Sequence, residues 1–333
     1  MTSSDWQGRQ VLVTGAGGFV GSHLVERLLG LGASVRGYVH YNSRSDWGWL
    51  DRLEEDAARR VDVVAGDLAD QDHVRRAVEG CDVVFHLGAQ ISIPNSYAEP
   101  GLFVGTNVVG TFNVLSACRE VGVSRLVHTS TSEVYGSARY VPMDEAHPLQ
   151  AQSPYAATKI GADKLVESFH RSFELPAVTL RPFNTYGPRQ SARAVIPAII
   201  SQALWAERIE LGALSPLRDF NYVGNTVDAY LAAATAPPEA LGEAFNVGSG
   251  RSISIGDLVE LICAQLGRRP PVASREERHR PERSEVDRLE ASFDRARSVL
   301  GWTPRVDLEE GLRRTASWIA GHAEAFKVGT HAV

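Results

Sequence analysis

Apolar residues recur along this chain in two alternating rhythms. Short runs rich in β-branched residues stand at 11–13, 34–40, 61–65, 83–87, 126–130 and 177–181, and stretches between them, such as 22–29, carry apolar residues at helical spacing. Strand and helix in alternation require right-handed crossovers, which lay the strands parallel in one sheet with helices on both faces. The pattern predicts an α/β fold, a doubly wound parallel sheet, mainly over residues 1–186. A smaller lobe is expected over 187–333, with some exchange of chain between the two. No internal repeat or low-complexity tract stands out.

In such a sheet the carboxyl ends of the strands face one crevice. Those ends hold Thr14-Gly15, Gly66-Asp67-Leu68, Leu87-Gly88-Ala89, Thr129-Ser130-Thr131 and Arg181-Pro182-Phe183-Asn184, most of the unusual polar and glycine content. The segment TGAGGFVG, 14–21, lies between strand and helix, with Gly15, Gly18 and Gly21 placed for a tight turn and a close approach to a pyrophosphate at the positive helix end. It reads as a dinucleotide-binding loop, with Phe19 and Val20 among the cofactor-binding residues and helical spacing from Ser22 to Leu29.

A second cluster carries chemistry. TSTSEVYG at 129–136 is followed by SPYAATK at 153–159. Tyr155 and Lys159 are four residues apart and share a helical face, where an ammonium can hold a phenol near deprotonation, the condition for a base that oxidises an alcohol. Ser153 before Pro154 reads as a helix N-cap. The hydroxyls of 129–132 suit either substrate contacts or ties at a strand end.

Composition narrows the class. The chain has 333 residues, 44% hydrophobic and 22% charged, enough for a full core, and a net charge of −6 offers no general attraction for nucleic acid or anionic membrane. Cys81, Cys118 and Cys263 are widely spaced and predict reduced, buried thiols rather than a disulfide framework. Ten histidines show no ligand spacing, so no metal is expected. The start lacks a signal-peptide core and no unbroken apolar run of about 18 residues appears, so a cytoplasmic protein is expected.

The set TGAGGFVGSH, GDLAD, VFHLGA, TNVVGTFNVL, TSTSEVYG, SPYAATK, RPFNTYGPR, RDFNYV and LGWTP resembles the extended short-chain dehydrogenase/reductase family acting on nucleotide sugars, whose core is a Rossmann domain. HYNSRSDWGWL, TSTSEVYG and RQSARAVIP are most similar to nucleotide-sugar 4,6-dehydratases of legionaminic-acid-type pathways, with GDP-N-acetylglucosamine as implied substrate. The resemblance implies a nucleotide-diphosphate sugar partner, a homodimer and a nicotinamide cofactor. It implies Tyr155 as base for the sugar O4, Lys159 as the residue lowering the tyrosine pKa and binding ribose, and Thr131, or else Ser130, as an O4 contact. Glu133 would remove the C5 proton so that the C6 hydroxyl leaves. Ser132 departs from the dTDP-glucose type, which carries aspartate there; serine has no readily donated proton. The same triplet occurs in UDP-glucuronate decarboxylases, which makes decarboxylation the runner-up, and 4-epimerisation follows it.

The adenosine half is less legible. Val39 stands 18 residues past Gly21, where NAD-preferring relatives place an acid. His40, Asn42, Ser43 and Arg44 follow and suit ribose hydroxyls or a 2′-phosphate, so NAD rests on the resemblance and NADP stays open. The resemblance further implies Asp67 and Leu68 at the adenine, Leu87, Ala89, Thr129 and Pro182 along the cofactor, and Arg218 and Arg280 as a diphosphate clamp. Arg189, Val195 and Asn184 join the substrate side, and Ser92 and Tyr97 the sugar side.

Overall fold

The computed structural model describes residues 5–274 and 286–326. Twelve strands are present among them: β1 Gln10–Thr14, β2 Ser34–His40, β3 Val61–Gly66, β4 Val83–His86, β5 Arg125–Thr129, β6 Ala177–Pro182, β7 Asn184–Tyr186, β8 Ile209–Leu211, β9 Leu217–Tyr222, β10 Ala244–Val247, β11 Ser252–Ser254 and β12 Val272–Ser274. Seven of these form one sheet in the order β10-β6-β5-β4-β1-β2-β3, every neighbouring pair parallel. Strand order reverses direction between β1 and β4, and such a switch point opens a crevice at the carboxyl ends. Thr14 and His86 sit there side by side.

Both faces of the sheet are covered. On one side Leu24, Val25 and Leu28 of the helix Phe19–Gly30 pack with Ala229, Tyr230 and Ala233 of the helix Val223–Ala234. On the other, Val74, Val78, Val114, Leu115, Cys118, Val166 and Phe169 form a second layer. The helical run from Pro100 to Val121 is long and apolar enough to cross a membrane by length and composition, but half of it is buried in this second layer. Its middle turn, Val104–Val109, widens to a π-helix. There Asn107 accepts the Gln90 N–H at 2.8 Å and donates to the Gln90 carbonyl and to Thr158 Oγ1, both at 3.0 Å.

The six expected strands are all present, and the seventh, β10, comes from residues assigned to the second lobe. Its four residues, AFNV, are too short and too interrupted by Asn246 for an apolar run to register. Asn246 is nevertheless buried, accepting the Tyr135 hydroxyl at 2.7 Å and donating to the Met143 carbonyl at 3.0 Å. The smaller lobe has its own core of Ile196, Ile199, Ile200, Leu258, Ile262 and Leu312 beneath β7, β9 and β11.

Candidate active site

The glycine loop is shaped by what a side chain would hit. Gly15 has φ +70°, and a Cβ there would fall 2.9 Å from the Gly88 nitrogen; a Cβ on Gly21 would fall 2.1 Å from the Gly15 carbonyl oxygen. The helix Phe19–Gly30 starts after Gly18 with no side-chain cap and no acid in its first turn. Phe19, Val20 and Gly21 thus present backbone N–H groups and the positive end of a helix dipole at the switch point, a cradle that fits a pyrophosphate.

Around the cradle, Leu87, Gly88 and Ala89 continue β4, with Gly88 donating to Thr14 Oγ1 at 2.9 Å. Leu68 is buried against Gly88 and Gly110. Asp67 shapes its own loop, Oδ1 accepting the Ala69 N–H at 2.9 Å and the carbonyl accepting the Tyr38 hydroxyl at 2.9 Å. His40 at the end of β2 and Arg44 beyond it are exposed. Asn42 is turned inward: its Oδ1 accepts the N–H of Arg44 and Asp46, and its Nδ2 donates to the Asp46 carbonyl at 2.6 Å. A short amide so placed orders the loop rather than presenting itself to a ribose. The loop then returns to the cradle, where the Trp49 N–H donates to the Gly17 carbonyl at 3.0 Å.

The catalytic candidates meet on the next two strand ends. Ser153 Oγ caps the helix Pro154–Phe173 by accepting the Ala156 N–H at 3.1 Å, with proline in the first turn, as expected. Tyr155 lies one turn inside, its ring edge-on to Phe103. Thr131 hydrogen-bonds the Tyr155 phenol and also accepts the Glu133 N–H at 3.2 Å. Glu133 and Ser132 open the 3-10 turn Ser132–Tyr135, with Ser132 buried and Glu133 half-buried near the phenol.

Two placements depart from expectation. Lys159 Nζ donates to the Thr129 carbonyl at 2.6 Å, and burial pushes its pKa down to about 8 against the pull of Asp163. Burial likewise pushes the Tyr155 phenol well above its ordinary value, the Thr131 hydrogen bond opposing and the Glu133 charge adding to the rise. Lys159 is thus hydrogen-bonded to the Thr129 carbonyl, and Thr131 is the group that hydrogen-bonds the phenol. Ser130 is also removed as an O4 contact: its hydroxyl donates to Asp163 Oδ2 at 2.9 Å. Thr129 Oγ1 lies 2.8 Å from the Tyr230 hydroxyl.

A cavity of about 450 Å³ opens in the second lobe, lined among others by Asn184, Gln190, Arg193, Val195 and Arg218. It does not reach the catalytic side chains. Pro182 and Asn184 connect the two places at the end of β6 and the start of β7. Arg218 is buried on β9, Nη1 donating to the Leu217 carbonyl at 3.0 Å, and Asn184 donates to the Asp219 carbonyl at 3.3 Å. Arg189 is directed elsewhere: its guanidinium pairs with Glu26 at 2.9 Å and reaches Ser22 Oγ at 3.4 Å, fastening the lobes instead of lining the cavity. Ser92 Oγ caps the helix Ile93–Ala98, and Tyr97 is partly exposed on it. Arg280 lies outside the described residues. Gln190, Arg193 and Asp163 escaped the sequence reading; Asp163 had a signal, its four-residue spacing from Lys159.

A switch-point glycine cradle beside a Tyr-x-x-x-Lys helix defines an extended short-chain dehydrogenase/reductase. Comparison with known proteins narrows this. The profile of the GDP-mannose 4,6 dehydratase family matches residues 12–315, and the chain belongs to that family. It is 35% identical to a UDP-glucose 4-epimerase of Mycolicibacterium smegmatis, over 95% of this chain and 100% of the relative. It is 33% identical to a dTDP-glucose 4,6-dehydratase of Streptomyces antibioticus, over 92% of this chain and 91% of the relative. A solved dTDP-glucose 4,6-dehydratase from Streptomyces venezuelae, with NAD and TYD bound, superposes with a TM-score of 0.84 at 28% identity, covering 96% of this chain and 99% of that one.

Proposed function

We propose that this chain is a NAD-dependent nucleotide-sugar 4,6-dehydratase. The observation that carries the reading is Glu133, a half-buried acidic residue in the 3-10 turn after β5 whose backbone N–H is accepted by Thr131, the residue that hydrogen-bonds the Tyr155 phenol. Oxidation at C4 needs only Tyr155, which takes the O4 proton, with Thr131 hydrogen-bonding beside it and Lys159 supplying positive charge. Bound NAD supplies reversible two-electron acceptance, and its phosphates fit the cradle of Phe19, Val20 and Gly21. Once C4 is a ketone the C5 proton becomes acidic, and Glu133 removes it as the C6 oxygen departs in water. Glu133 also protonates that oxygen, since Ser132 has no proton to give readily. Water loss leaves a double bond between C5 and C6; the hydride taken from C4 would be returned to C6 and a proton would be delivered to C5, equivalent to the one taken from O4, so the product is a 4-keto-6-deoxy sugar and no net oxidant is consumed.

Arg218, with Asn184 beside it, supports binding of a nucleotide diphosphate in the cavity. Of the alternatives, decarboxylation is favoured by Ser132 and 4-epimerisation by the epimerase among the relatives. Mass spectrometry on a panel of nucleotide sugars, including GDP-N-acetylglucosamine and a nucleotide uronate, with NAD in catalytic amount, separates the readings. Loss of water supports the dehydratase. No change in mass with a new diastereomer moves the assignment to the epimerase, and loss of carbon dioxide moves it to a decarboxylase.

The same proposal includes a homodimer. Leu102, Val109 and Phe112 are exposed along the run from Pro100 to Val121, and Phe173 is exposed on the neighbouring helix Pro154–Phe173. An apolar stripe at spacings of seven and three suits a second copy of the same helices. Light scattering on Phe112→Glu should show a monomer where the parent is a dimer. Three buried free thiols fit a reducing compartment.

A further inference from the structure

Beneath the catalytic pair lies a buried ionic cluster that the reaction above does not use. Asp163 stands one helical turn after Lys159 on the helix Pro154–Phe173, and both side chains are buried. Asp163 Oδ2 accepts from Ser130 Oγ at 2.9 Å and from Arg181 Nε and Nη2, each at 3.1 Å. Its Oδ1 has no hydrogen-bond partner and faces His128 Nε2 at 3.5 Å.

The groups around this carboxylate come from four elements. Its own helix brings Lys159; β5 brings His128 and Ser130; β6 brings Arg181, which also donates to the Tyr135 hydroxyl at 3.0 Å; and His86 on β4 lies against His128 with ring centroids 5.6 Å apart. Burial holds both imidazoles below their usual pKa, so they add no fixed charge at neutral pH. Arg181 pairs with this carboxylate directly, and Lys159, one turn away with its Nζ on the Thr129 carbonyl, is the second buried cation of the cluster, which holds a single carboxylate. Without it an ammonium removed from water sheds its proton, and a neutral amine cannot stabilise a tyrosinate.

We propose that Asp163 is a positioning residue whose carboxylate keeps Lys159 protonated in the buried site and so sets the alkaline limit of the enzyme. The proposal rests on the reading of Tyr155 and Lys159 as the catalytic pair. It makes a prediction of opposite signs that a merely structural ion pair does not. Removing Asp163 takes away an anion and drives Lys159 towards the neutral form; removing Arg181 breaks the same ion pair but takes away a cation and drives Lys159 towards the charged form.

The chain has three lysines, Lys159, Lys164 and Lys327, so protein labelled with carbon-13 at lysine Cε gives three resonances that Lys164→Arg and Lys327→Arg assign. In the apo protein the Lys159 midpoint should fall in Asp163→Asn by about one pH unit, a tenfold loss of protonated Lys159 above the midpoint, rise in Arg181→Met, and return in Asp163→Glu. Both charge-removing variants lose stability, so thermal unfolding must first show that each is folded. Should Asp163→Asn not fold, an upward shift in Arg181→Met supports the proposal and an unmoved midpoint overturns it. With substrate, the alkaline limb of kcat should follow the resonance while KM stays put. A midpoint unmoved in both variants, or moved the same way, overturns the role of Asp163. A midpoint that moves while the kcat limb does not overturns the alkaline-limit claim together with the catalytic pair.

Discussion

At the scale of single residues, the site separates groups that do chemistry from groups that hold them. Tyr155→Phe removes the proton acceptor and should lower kcat by about 10²–10⁴ with little change in fold, read by steady-state assay beside a melting curve. Glu133→Gln should behave differently. It leaves C4 oxidation intact and stops before water loss, so absorbance of the reduced nicotinamide should build up in a single turnover. Full dehydration by this variant would take Glu133 out of the reaction. Tyr155 and Lys159 could be picked from the sequence because one helical face fixes their spacing, and Thr131 and Glu133 because the resemblance marks them; the structure brings Thr131 to the phenol and Glu133 into the turn beside it. The sequence misplaced Arg189 and Asn42 because their partners, Glu26 and the backbone of 44–46, are set by how a lobe and a loop fold back. A guanidinium or an amide reads the same in either role.

At the scale of elements, the two sides of the glycine-loop helix respond oppositely to the same added methyl. Gly21→Ala places a Cβ against the Gly15 carbonyl oxygen and should cost about 1–3 kcal/mol while weakening NAD binding, measured by denaturant titration and calorimetry. Gly30→Ala meets nothing within 4 Å at the far end of that helix and should stabilise the protein by about 0.4–1 kcal/mol without touching affinity. The strands of the sheet core were legible to within a residue or two, since parallel strands buried on both faces read as continuous apolar runs. Short pieces such as β8, β11 and β12 were not, each having three residues. Three residues carry no period, and only the lobe that receives them makes them strands.

At the scale of the molecule, acid should loosen the fold through its histidines. His23 lies between the lobes with Nε2 3.0 Å from the Pro188 carbonyl, and burial, aided by Arg189, pushes its pKa from 6.5 down to about 4. The unfolded chain takes up that proton near pH 6.5 and the native protein does not. Stability is therefore full above 6.5 and is lost as pH falls towards 4, by on the order of 3 kcal/mol from this group. His86 and His128 shift in the same direction and deepen the fall. Melting temperature against pH should show this acid limb, and His23→Gln should make it shallower.

The position of β10 has a consequence for how the chain is made. Until residues 244–247 have been synthesised, β6 is an apolar border strand with five buried positions and no neighbour on one side. A nascent chain that stops short of them exposes a row of unpaired amides and carbonyls to any other strand. A fragment of residues 1–186 should therefore collect as insoluble protein, although it holds the whole nucleotide cradle and both members of the catalytic pair. The order of translation makes the last strand of the sheet the one that turns a sticky intermediate into an enzyme.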